Sequence, residues 1–193
     1  METRDFSLAG WLSVALAVVL VPYVGVVAAE AWAEAAGGGS IGLGVLAFFL
    51  LAAITAASVW LYLEFRRLLN RSGFHGIDTL VPILIVLSIV MVFIPNSWMV
   101  IGLLLTLVSC AVSIVFGIRL LKFSEDPTGL MKPFAYLLVA GSICMATVVL
   151  SPLGLLLGIA FYIVQAMIFF RAGEFPEASA DPAPPQGLTS YAG

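Results

Sequence analysis

Few side chains in this sequence are able to do chemistry, and most of them stand at the edges of long apolar runs. Glu64 precedes Arg66, Arg67 and Arg71, and the only histidine, His75, lies in Gly73-Phe74-His75-Gly76-Ile77-Asp78. An i,i+3 pair of Glu64 with Arg67 is the expected arrangement on a helix. Asp78 is expected to cap the helix that follows it. For His75 an ordinary loop position is the expectation and a pH-sensing role the alternative. Glu30 and Glu34 stand one helical turn apart at the outer end of the first run, where a hydrated rim is the expectation and attraction of a cation the alternative; no histidine is nearby to complete a transition-metal set.

Inside the apolar runs three polar patterns remain. Thr106, Ser109 and Ser113 recur at i, i+3 and i+7 and so share a helical face, with Gly102 and Gly117 close to it. Such a face serves either close helix packing or a narrow hydrated path. Gly154 and Gly158 start a stripe of small residues that continues through Tyr162 and Ala166, with Gln165 beside it. The stripe lets another helix approach, and Gln165 offers that neighbour a hydrogen bond. A solute contact is the alternative role for Gln165. His-Glu-x-x-His, Gly-x-Ser-x-Gly and glycine-rich phosphate motifs are all missing, so no catalytic residue, cofactor or metal ligand is expected.

These residues must be positioned by elements that suit lipid. Of the 193 residues 62% are apolar and 10% charged, against roughly 45–50% and 25% in soluble domains. A net charge of −3 gives no footprint for nucleic acid. Cys110 and Cys144 sit within apolar runs, where a thiol is ordinarily a small buried hydrophobe.

A hydrocarbon core about 30 Å thick takes about 17–25 helical residues. Charges and turn clusters cut the chain into six runs of that order, at about 7–29, 42–65, 79–95, 98–121, 133–150 and 153–171. Pro95-Asn96-Ser97 and Ser151-Pro152-Leu153-Gly154 divide runs too long for one crossing. The expected fold is an all-α polytopic bundle of about six transmembrane helices, a single domain over 1–171. From 172 to 193 the Pro- and acid-containing sequence predicts a flexible cytoplasmic tail.

Cytoplasmic flanks attract Lys and Arg. Arg4, Arg66, Arg67, Arg71, Arg119, Lys122, Lys132 and Arg171 all fall at the segments that six crossings with an inside N-terminus would place in the cytoplasm. The expected location is a plasma (inner) membrane with both termini cytoplasmic. Small-residue triplets around Glu30 and Trp32 resemble signal cleavage sites, but the first apolar run exceeds a typical signal core. Trp11 and Tyr136 fall near the inner interface and Trp32 and Trp98 near the outer one, whereas Trp60 and Tyr162 lie deeper.

A weak repeat aligns Arg67-Leu68-Leu69 and Ser72 with Arg119-Leu120-Leu121 and Ser124, and it pairs the second and third runs with the fourth and fifth. Parallel repeats of this kind occur in transporters and in other bundles.

Three functions fit. The first expectation is a non-catalytic bundle that assembles with other membrane proteins or with itself. A channel or permease for a small solute or ion is the alternative. Least favoured is an enzyme acting on lipid headgroups through Glu64 or the basic loops. Arg66, Arg67, Arg71, Arg119, Lys122 and Lys132 are expected to form a collar that holds anionic membrane lipids.

Overall fold

Glycine sets the ends of the first two helices. In the computed structural model, which describes residues 4–38, 41–94, 99–123, 126, 128–147 and 151–174, α1 spans Arg4–Ala35 and α2 spans Ile41–Arg71. Gly37 (φ 78°) and Gly73 (φ 75°) follow them in the left-handed region. The Gly38 amide then donates to the Ala33 carbonyl and the Phe74 amide to that of Leu69, each at 3.0 Å. These are Schellman closures, and they satisfy carbonyls that a helix end would leave bare. Both helices outrun the predicted bounds. Glu30 and Glu34 are good helix formers and carry α1 onward, and the Glu64–Arg67 pair does the same for α2.

The other elements are α3 (Leu80–Val92), α4 (Met99–Leu121), α5 (Met131–Ala146) and α6 (Ser151–Glu174). Within this all-α fold four helices are long and apolar enough to cross a membrane: α1, α2, α4 and α6. At 13 and 16 residues, α3 and α5 are shorter than the predicted runs 79–95 and 133–150. Thr147 is already extended (ψ 112°), so α5 stops there. α6 in turn runs past the predicted start of the tail, through Ala172 to Glu174. The Pro95-Asn96-Ser97 turn, Trp98, Ser124 and the tail from 175 to 193 lie outside the described residues.

One capping expectation is corrected. Thr79, not Asp78, is the N-cap of α3, and no side chain caps that helix. The Ile77 carbonyl closes the first turn instead, accepting from the Leu80 and Val81 amides at 2.9 and 3.1 Å. Asp78 is occupied elsewhere, by Arg66 Nε at 2.6 Å and Asn70 Nδ2 at 3.3 Å, so it ties the loop back to α2. Ahead of α5 the carboxylate of Asp126 plays the capping part, accepting from the Met131 amide at 2.8 Å.

The helices form a ring in sequence order. Each packs chiefly on its neighbours along the chain, and α1 closes the ring against α6. Alternating direction puts the 64–80 and 119–132 segments and the end of α6 at one end of the ring, here the basic end. At this end each hairpin of α1–α2, α3–α4 and α5–α6 is closed by an arginine of its second helix. Arg71 lies over the Phe6 ring at 5.1 Å. Arg119 Nη1 donates to the Gly76 carbonyl at 2.6 Å, and Arg171 Nη1 to that of Thr128 at 2.7 Å, each spanning 43 residues. Arg67, Arg119 and Arg171 are evenly spaced in sequence. In the first hairpin, however, the evenly spaced arginine, Arg67, pairs with Glu64 of its own helix, and Arg71 makes the closing contact.

Burial is lopsided. At the basic end the ring is filled by Phe65, which packs on Phe134, Phe116 and Phe169 at 5.0, 6.2 and 6.2 Å between centroids. Leu61, Leu69, Ile77, Leu120 and Met131 surround this plug. Beyond Ala17 in α1 and before Leu61 in α2 no described residue is buried. The far halves of α1 and α2 are consequently loosely covered, whereas Ser142 and Cys144 of α5 and Gly154 of α6 are buried.

Candidate functional site

The polar face of α4 meets the small-residue stripe of α6 at a single cavity of about 280 Å³. Thr106, Ser109, Cys110 and Ser113 line it from α4, and Gly154, Gly158 and Tyr162 from α6. α5 completes the wall with Gly141, Ser142 and Met145, and α3 adds Met91. Helices that are not neighbours in the ring share these walls, so the space lies on the ring's concave side. Six of the residues singled out in the sequence are thus brought together.

Depth follows from helix rise. Tyr162 lies nine residues before Arg171, about 13 Å along a helix at 1.5 Å per residue. With Arg171 at an interface, that distance would reach close to the middle of a 30 Å hydrocarbon layer. There the Tyr162 hydroxyl reaches Ser58 of α2 at 3.1 Å, bridging past α1. Ser58, Cys110 and Tyr162 keep the same even spacing as Arg67, Arg119 and Arg171; the Tyr162 hydroxyl reaches Ser58, and Cys110 and Tyr162 line one cavity. This answers why Tyr162 sits so deep. Trp60, the other deep aromatic, packs against the core.

No lining residue of the cavity is charged. Thr106 spends its proton on its own helix, donating to the Gly102 carbonyl at 2.9 Å. What remains is a mainly apolar chamber with hydroxyls at Ser109, Ser113, Ser142 and Tyr162. It suits a small neutral molecule with one or two hydrogen-bonding groups, since an unpaired ion there would be heavily penalised.

The small-residue stripe faces inward along its length. A Cβ on Gly154 would meet Met145 at 2.8 Å, and one on Gly158 would sit 3.6 Å from Leu20 of α1. Ala166 is buried. Gln165 is 2% exposed, and its Oε1 has no hydrogen-bond partner.

Four arginines of the expected lipid collar each make a contact within the chain, while Arg67, Arg71 and Arg119 stay exposed. Arg66 bonds Asp78, Arg67 bonds the buried Glu64, Arg71 covers Phe6 and Arg119 holds Gly76. Lys122 and Lys132 are exposed. The Arg66 hydrogen bond is the main reason the Asp78 carboxyl is held below its ordinary range, with Asn70 and His75 adding to it.

Sequence reasoning missed Ser142, Met91 and Met145, whose positions on α5 and α3 carry no pattern. Cys110 and Ser58 had a usable signal in their even spacing with Tyr162.

Comparison with known protein families, curated proteins and solved structures finds no match. Fold and site define the class by themselves: an all-α, polytopic membrane bundle with a mainly apolar cavity lined by α3, α4, α5 and α6.

Proposed function

We propose that this protein takes up a small, neutral, mainly apolar solute in the α4–α5–α6 chamber, as a permease-type bundle rather than an ion channel. One observation carries the reading: the hydroxyl face of α4 and the glycine stripe of α6 line the same mid-depth chamber. The assembly reading drew its main sequence support from that stripe, which is occupied within the chain. Both termini and the basic end are assigned to the cytoplasm of a plasma (inner) membrane, from the placement of Lys and Arg. Exposed Lys122 and Lys132 are the groups assigned to anionic lipids.

Cys110 is a built-in reporter. Thiol-specific reagents react with the thiolate, which needs water around it. In a Cys144→Ala background, a small methanethiosulfonate added from the far side should modify Cys110, and Gly158→Leu should slow that reaction at least tenfold. Cys110 that reacts only after denaturation would mean a dry, closed chamber and would sink the transport reading.

A further inference from the structure

We propose that a second cavity, at the far end of α1, α2 and α3, binds a lipophilic cation through the carboxylate of Glu30. This inference is independent of the α4–α5–α6 chamber.

Tyr23, Val27 and Glu30 recur at i, i+4 and i+7, so one face of α1 presents all three. They line a cavity of about 390 Å³ together with Gly44, Ala47, Phe48 and Leu51 of α2 and Val92 to Ile94 at the end of α3. α1 and α3 are not ring neighbours, so this space too lies on the concave side. Apart from Glu30 and the Tyr23 hydroxyl its side chains are apolar, and Phe48 and Phe93 give it aromatic walls.

The carboxylate has a fitted seat. A Cβ on Gly44 would lie 2.9 Å from Glu30 Oε1, so the missing side chain on α2 is what lets the carboxylate lie against that helix. Its charge is not balanced from within. Every Lys and Arg of the chain belongs to the opposite end, and among the described residues no ion pair involves Glu30. A half-buried carboxylate among apolar walls favours a charged partner. Aromatic faces favour a cation whose own surface is apolar over a hydrated metal ion. An alkyl- or aryl-ammonium fits both demands.

The test compares two molecules of one shape, phenyltrimethylammonium and its uncharged isostere tert-butylbenzene. Equilibrium dialysis of labelled phenyltrimethylammonium is run on the full chain in nanodiscs of neutral lipid, with empty discs subtracted. Binding should fall at least tenfold in Glu30→Gln and stay unchanged in Glu34→Gln, whose site is the exposed rim. tert-Butylbenzene should compete at least tenfold less well than unlabelled cation. Phe93→Ala, at a largely exposed position that the fold does not need, should weaken binding several-fold and decides the matter if Glu30→Gln misfolds. Equal binding by wild type and Glu30→Gln, equal losses in the Glu30 and Glu34 variants, or equal competition by the neutral isostere would each overturn the proposal. With Glu30→Gln misfolded, unchanged binding in Phe93→Ala does so.

Discussion

The hydroxyls of Tyr162 and Ser58 lie 3.1 Å apart although 104 residues separate them in the chain. The bond joins α6 to α2 past the helix that stands between them in the ring, at the level where the chamber gives way to the phenylalanine plug. Interhelical hydrogen bonds in membrane proteins average about 0.6 kcal/mol, with maxima near 1.7. Tyr162→Phe should lower stability by about that amount. A double-mutant cycle with Ser58→Ala, read by unfolding in mixed micelles, should give a coupling of the same order. Strictly additive variants would mean that the two hydroxyls do not interact.

Close packing of α4 on α5 depends on Gly117. A Cβ there would lie 2.6 Å from Val139 Cγ2 and 3.1 Å from the Ala135 carbonyl, and the carbonyl is held by its helix. Gly117→Ala should destabilise the protein by about 1–3 kcal/mol through overpacking. Gly102 meets nothing within 4 Å, so Gly102→Ala serves as the control and should leave the thermal midpoint where it was.

Asp78 gives a pH dependence with a definite sign. Its carboxyl is held below the ordinary value, chiefly by the Arg66 hydrogen bond. A depressed carboxyl stabilises the fold fully above the unfolded-state pKa of about 3.9 and loses that contribution as pH falls through the folded-state value. Melting curves should show wild type losing stability below about pH 4 more steeply than Asp78→Asn. Parallel curves for the two proteins would remove Asp78 from the acid response.

Gln165 buries an oxygen with no partner. An unsatisfied buried acceptor is penalised by about 1–3 kcal/mol, so Gln165→Leu should hold or raise stability if the side chain is only structural. A clear loss in thermal midpoint would show that the amide makes a bond needed for folding.

Topology is open to direct test. Reporter fusions at Gly38 and at Ser72 should read from opposite sides of the membrane, with Ser72 cytoplasmic. A cytoplasmic signal at Gly38 would reverse every depth assigned above.

The sequence by itself determined the class of fold. Runs of apolar residues bounded by charge allow little but membrane helices, because hydrocarbon demands that each segment satisfy its own backbone. The i, i+3, i+7 hydroxyls and the i, i+4 glycines were also legible as two faces, since helical periodicity fixes which side chains point the same way, and both line one cavity. What those faces meet was decided only by tertiary structure. Ring closure of α1 on α6 turned the glycine stripe inward, and that closure depends on contacts between the two ends of the chain. Local chemistry was likewise re-sorted: Asp78 reads as a cap from its position, yet Arg66 and Asn70, 12 and 8 residues back on α2, claim its carboxylate. The Glu30 cavity was invisible for the same reason. Its walls come from three helices, and the residue that seats the carboxylate, Gly44, contributes no side chain at all.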